Sequence, residues 1–147
     1  MHLTLLFLAL FMGIFMPLQM GLNSMINQQW SQSAPIASLI SFFVGTISLT
    51  IFVAVTRIPI PPLSTSTVPW YAWFGGILGA VGVTALTFLA PRIGALAMLS
   101  LLICGQFISS MVFDHFGILG YPLRPVTLMR VAGVVLLIAG AYLVNRY

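Results

Sequence analysis

Gln106, Ser110 and Asp114 recur at intervals of four in the run CGQFISSMVFDHFG (104–117). On a helix that spacing puts three polar side chains in one stripe. It ends on the only carboxylate of the 147-residue chain, with His115 beside it. Gln19 and Asn23, in PLQMGLN (17–23), also stand four apart, just beyond Pro17. Amides and hydroxyls hold a solute by hydrogen bonds, whereas a carboxylate can also pair with a cation or carry a proton. Enzyme chemistry is not expected. His115 follows Asp114 directly, so on an ideal helix it points about 100° away and spoils any Ser110–His115–Asp114 triad. No metal and no cofactor are expected either: His2 and His115 lie far apart in sequence, and the single cysteine, Cys104, sits in an apolar run as a small hydrophobe.

The elements that must position these residues follow from composition. The chain is 61% hydrophobic and 4% charged, with a mean hydropathy of +1.15. Soluble domains carry about 25% charged residues, so this chain belongs in lipid. Its net charge of +4 comes from five arginines spread singly near segment ends, as snorkelling anchors are and a nucleic-acid patch is not. An all-α integral membrane domain over 1–147 is expected, with five transmembrane helices near 3–22, 34–55, 70–89, 94–113 and 126–144, each close to the roughly 20 apolar residues a bilayer requires. The first run lacks a basic n-region and a clear small-x-small cleavage site, so it reads as a span rather than a signal peptide. Polar NSMINQQWSQS (23–33), Pro-rich RIPIPPLSTSTVP (57–69), the short turn APRIG (90–94) and DHFGILGYPLRP (114–125) separate the spans. The second of these should be a stiff, partly extended tether. Trp30, Trp70, Tyr71, Trp73, Tyr121, Tyr142 and Tyr147 fall at or near span ends, the headgroup position that amphipathic rings prefer.

In that frame Gln106 lies within roughly 5 Å of the fourth helix's midpoint and Asp114 at its C-terminal end. The stripe runs from mid-membrane to one surface, a position where polar side chains suggest a functional site. Asp114 faces the negative end of its helix dipole and wants a cation. Arg130, about one turn into the fifth span, is the favoured partner, and the pair with His115 reads as a latch or gate. A proton-coupling role for Asp114 is the alternative. Pro17 cannot donate to the Gly13 carbonyl, so the first helix should kink there. Gln19 and Asn23 beyond the kink are either binding residues or interhelical glue. Small residues mark contact faces: Ser38, Ser41, Gly45 and Ser48 on the second span, Gly75, Gly79 and Gly82 on the third, and Gly133 and Gly140 on the fifth, the candidate for dimer packing.

Five spans put the termini on opposite sides. Arg57, Arg124 and Arg130 then fall on one side and Arg92 and Arg146 on the other. Three against two only slightly favours an inward N-terminus under the positive-inside rule. So even a balance is compatible with an antiparallel pair.

The pattern GQ-x3-S-x3-DHFG-x2-G (Gly105, Gln106, Ser110, Asp114 to Gly117, Gly120), with PLQMGLN, the SxxSFFVG of the second span and GGILGA (75–80), resembles the YdcZ-like family of five-helix bacterial proteins. That family falls within the drug/metabolite transporter superfamily. The resemblance implies a multi-pass inner-membrane protein that is half of a ten-helix transporter, its halves related by inverted topology. It departs from the small multidrug-resistance proteins, whose first helix carries a glutamate: here Met12, Gly13 and Ile14 occupy the middle of that span. Without a central carboxylate, the expected cargo is a small neutral or anionic solute. The resulting expectation is a secondary transporter working by alternating access, as a homodimer (antiparallel pairing included) or with a homologous subunit. Gln19, Asn23, Gln106 and Ser110 would form its site. The competing readings are a small dual-topology channel and a membrane scaffold or accessory subunit.

Overall fold

The computed structural model describes residues 2–62 and 66–147. Residues 63–65 of the expected tether therefore lie outside the described residues. The elements are α1 (His2–Met12), α2 (Phe15–Ile26), a π-helical turn (Asn27–Ser31), α3 (Ala34–Thr56), a 3-10 turn (Trp70–Phe74), α4 (Gly75–Ile93), α5 (Ala95–Phe116) and α6 (Leu128–Arg146). Among the described residues there is no strand. Five helical stretches are long and apolar enough to cross a membrane: Leu3–Ser31, Ala34–Thr56, Trp70–Ile93, Ala95–Phe116 and Leu128–Arg146. In each, only 6–11% of the most apolar stretch is buried within the protein. Side chains such as Leu10, Leu39, Leu78 and Leu136 are left for lipid to cover.

Two expected breaks are shorter than their composition suggested. The segment 23–33 stays helical through Ser31 because its polar side chains bond within the helix: Gln28 Nε2 donates to Ser24 Oγ at 2.8 Å, and Gln32 Nε2 to the Gln28 carbonyl at 2.6 Å. At 29 residues the first span measures about 43 Å, longer than the roughly 30 Å hydrocarbon core, so its polar end reaches the headgroup region. The chain turns at Gln32, in the left-handed region at φ 52°, and at extended Ser33. Near APRIG, α4 runs through Pro91 to Ile93 and only Gly94 interrupts the helix. Its φ of +83° favours glycine. Pro91 removes one hydrogen bond but sits in the last turn, where little helix remains to disrupt.

The chain forms two compact units, one ending at Arg92 and the other spanning Ile93–Tyr147. In the first, the α2–α3 hairpin buries Met20, Ala34, Ala37 and Ser38, and a Cβ at Gly79 of α4 would touch the Phe42 ring of α3 at 3.7 Å. The other glycines of the expected α4 face, Gly75 and Gly82, meet nothing within 4 Å.

The second unit is an antiparallel α5–α6 hairpin with Met98, Val134 and Ala141 buried. Asn145 Nδ2 donates to Ser100 Oγ at 3.0 Å at one end, and Arg130 faces Asp114 at the other. Gly117 closes α5 at φ +60°, packed so closely that a Cβ would lie 3.3 Å from Leu123 Cδ1. Thr127 caps α6, its side chain accepting from the Arg130 N–H.

Candidate functional site

Hydroxyl groups on a membrane helix usually bond back to their own backbone, since lipid offers no alternative. Thr46, Ser48 and Thr50 do so at 2.8 Å, Thr56 at 2.6 Å and Ser109 at 2.9 Å, each to the carbonyl four residues earlier. Three buried polar groups stand apart. Asn23 Nδ2, Ser38 Oγ and Thr87 Oγ1 are buried without a hydrogen-bond partner among the described residues, and all three belong to the first unit. Their residues are 2%, 3% and 0% exposed, so bulk water does not satisfy them. An unsatisfied buried donor or acceptor costs about 1–3 kcal/mol.

Asn23 is one of the residues lining a groove of about 410 Å³ between α2 and α3. Gln19 and Ser41 supply its other polar groups, while Leu18, Ile40 and Val44 make apolar walls. Met20 fills the α2 core beside it. The helix break lies one turn from this groove. Pro17 presses on the Gly13 carbonyl and offers it no N–H, and the interruption accordingly falls at Gly13–Ile14. There the Ile14 N–H donates to Phe11, three residues back, at 3.1 Å, and the Gly13 N–H is shared between Ala9 and Leu10 at 3.2 and 3.1 Å. Gln19 and Asn23 both lie on α2, beyond the break, and line this groove.

The α5 stripe divides. Ser110 and Asp114 line a cleft of about 370 Å³ with Arg130 and Gly133, whereas Gln106 is exposed and does not line it. Around Asp114 the loop 117–127 is bound at several points. Asp114 Oδ2 lies 3.6 Å from Arg130 Nη1, which also donates to the Arg124 carbonyl at 3.1 Å. The Arg124 N–H donates to the Asp114 carbonyl at 2.7 Å. His115 Nδ1 accepts from the Val126 N–H at 3.2 Å. Tyr121 stacks on Phe113 with ring centroids 6.2 Å apart. The expected trio of Asp114, His115 and Arg130 therefore converges on one loop.

No group of three His, Cys, Asp or Glu among the described residues could hold a metal. Ser38 and Thr87 were not among the expected site residues. Their types are common in packing faces, and only burial without a partner distinguishes them. Asn27 was also missed, although it continues the step of four from Gln19 and Asn23, and its N–H donates to the Asn23 carbonyl.

The family model described as "Putative inner membrane exporter, YdcZ" matches residues 4–143. Inner membrane protein YdcZ of Escherichia coli (strain K12) is 33% identical over 81 residues, 55% of this chain and 54% of that protein. The matched region thus spans about half the length of the curated relative. No solved structure matches the chain.

Proposed function

Because this chain belongs to the YdcZ family and is a multi-pass protein of the bacterial inner membrane, we propose that it is a secondary transporter of a small neutral or anionic solute. One observation carries the reading: Asn23 Nδ2 is buried, unpartnered and set on the wall of a groove that also holds Gln19 and Ser41. Glue would have found a partner on the neighbouring helix. A buried amide donor without a partner, on a residue that lines a groove, supports a state in which α2 tilts and that donor meets a solute. The groove has no ionisable lining residue, which suits a solute held by hydrogen bonds and disfavours a bare cation.

The finer mechanism is alternating access by a dimer whose five-helix chains form the halves of a ten-helix, inverted-repeat assembly. Two features support pairing. A Cβ at Gly133 or Gly140 would meet no atom within 4 Å, leaving that α6 face open to close approach. The exposed amide of Gln106, in the middle of an apolar span, needs a polar partner that α5 does not supply. Asp114, His115 and Arg130 serve as the latch at one mouth of the second unit, with Ser110 beside them.

The test is reconstitution into proteoliposomes with counterflow of labelled neutral, anionic and cationic metabolites. The expected result is saturable, trans-stimulated uptake of a neutral or anionic solute that Asn23→Leu abolishes. Flux without saturation or exchange would mean a channel. No flux, with wild-type behaviour in Asn23→Leu and Gln19→Leu cells but not in Gly133→Leu cells, would mean a scaffold. Saturable uptake confined to a hydrophobic cation would overturn the solute class.

A further inference from the structure

The π-helical turn, Gln32 beyond it and the end of α4 flank an open pocket of about 330 Å³ lined by Asn27, Gln28, Gln32, Pro91 and Arg92. Three carboxamides and a guanidinium meet there without a carboxylate. The first unit has no acidic residue at all: the chain's only one, Asp114, belongs to the second unit, where it faces Arg130. Arg92 is nonetheless held in place. Its guanidinium carbon lies 3.4 Å from the centroid of the Phe88 ring, and Nη1 donates to the Phe88 carbonyl at 2.5 Å. Arginine carries five N–H donors in a planar fork. One is used on Phe88, and the others meet no acceptor among the described residues.

The opposite wall is shaped by two unusual backbone features. The helix widens to a π turn over Asn27–Ser31, and Gln32 takes a positive φ of 52° that bulky side chains rarely adopt. Bonds to Ser24 and to the Gln28 carbonyl orient the amides of Gln28 and Gln32, while Asn27 has no side-chain hydrogen bond among the described residues. Asn27 stands one helical turn beyond Asn23, so the stripe Gln19–Asn23–Asn27 joins the groove to this pocket.

We propose that this pocket is a recognition site for the oxyanion of a small solute, a carboxylate, which Arg92 binds through its free edge while Asn27 adds an amide donor. The stacked, singly tethered guanidinium is pre-organised for two parallel N–H···O bonds to one oxyanion. A single cation among neutral amides matches one negative charge better than two, which favours a carboxylate over a phosphate monoester; a monoanionic lipid phosphodiester is left to the titration to separate. The volume suits a small molecule. Onward passage along Asn27 to Asn23 rests on the transporter reading; binding at Arg92 does not.

The test is isothermal titration of the purified full chain in dodecyl maltoside with benzoate, with its neutral analogue benzamide, with inorganic phosphate and with phosphatidylglycerol. Thermal unfolding confirms the fold of each variant. Expected are saturable benzoate binding, no binding of benzamide, affinity weakened about tenfold or more in Arg92→Gln, partial retention in Arg92→Lys, and no change in Arg146→Gln. Equal affinity in wild type and Arg92→Gln overturns the site. So does the absence of saturable benzoate binding to wild type. Binding of phosphatidylglycerol or phosphate that depends on Arg92, without benzoate binding, assigns the pocket to a phosphate or lipid headgroup and overturns the carboxylate. Counterflow by the wild type separates the two readings: a wild-type protein that binds benzoate through Arg92 yet never shows counterflow sinks the transporter and leaves this site standing, whereas Asn23→Leu should keep benzoate binding and lose only counterflow.

Discussion

Arg130 reaches back across the loop to Asp114, its Nη1 3.6 Å from the carboxylate and 3.1 Å from the Arg124 carbonyl. The two side chains are 35% and 29% exposed, so their attraction is partly screened and the surrounding backbone bonds share in holding the loop. Asp114→Asn keeps the shape and removes the charge. Thermal unfolding in detergent should show a loss of about 1 kcal/mol or less, a fall in Tm of about 2–4 °C, with counterflow retained. A coupling carboxylate would behave in the opposite way, with Tm unchanged and uptake no longer responding to a proton gradient.

His115 acts on the same loop through a different bond. Its Nδ1 accepts from Val126, while the neighbouring Arg124 amide is tied to the Asp114 backbone carbonyl. Hydrogen exchange should resolve the two. In His115→Phe the Val126 amide should exchange about tenfold faster, as losing one hydrogen bond of about 1.4 kcal/mol implies, and the Arg124 amide should stay protected. Acceleration of both amides together would mean that the ring holds the whole loop.

The break in the first span depends on two residues acting together. Pro17 leaves the Gly13 carbonyl without its usual donor, and Gly13 admits the close carbonyl of Leu10, which a Cβ would approach to 3.0 Å. Gly13→Ala should therefore destabilise the protein by about 1 kcal/mol. Pro17→Ala restores an N–H to the helix and should raise Tm. It should also slow counterflow, because the segment carrying Gln19 and Asn23 loses its hinge. Faster counterflow in Pro17→Ala would show that the break is not needed for movement.

Most of the fold was legible because lipid imposes a simple rule: about 20 apolar residues in a row must be helical to satisfy their backbone. That rule found the five spans. It could not find their ends, because Gln28, Gln32 and Pro91 are unfavourable in lipid or in mid-helix yet tolerable at a helix end in the headgroup region. The steps of four from Gln19 to Asn23 and from Ser110 to Asp114 were readable, and each pair does line one cavity. Gln106 shares the second spacing but lies outside the cleft, whose α5 wall is the face Phe107, Ser110, Met111 and Asp114, turned about 90° from Gln106. Ser38 and Thr87 were not readable. A serine that bonds its own helix and one that does not have the same letter, and only the packing around them decides.

The same three orphan groups set stability against transport. Asn23 Nδ2, Ser38 Oγ and Thr87 Oγ1 have no partner among the described residues, so replacing them with apolar groups of similar shape removes a desolvation penalty and no hydrogen bond. Thr87→Val, the closest match in shape at a fully buried position, should raise stability by about 1 kcal/mol, and Ser38→Ala should be neutral or mildly stabilising. Asn23→Leu should keep or raise Tm while abolishing counterflow, because Asn23 lines the groove. Measuring Tm and counterflow on the same preparations checks this. If Asn23→Leu lowers Tm by about 5 °C or more, a bond is being lost. Asn23 would then be helix glue, and the groove would need another residue to bind its solute.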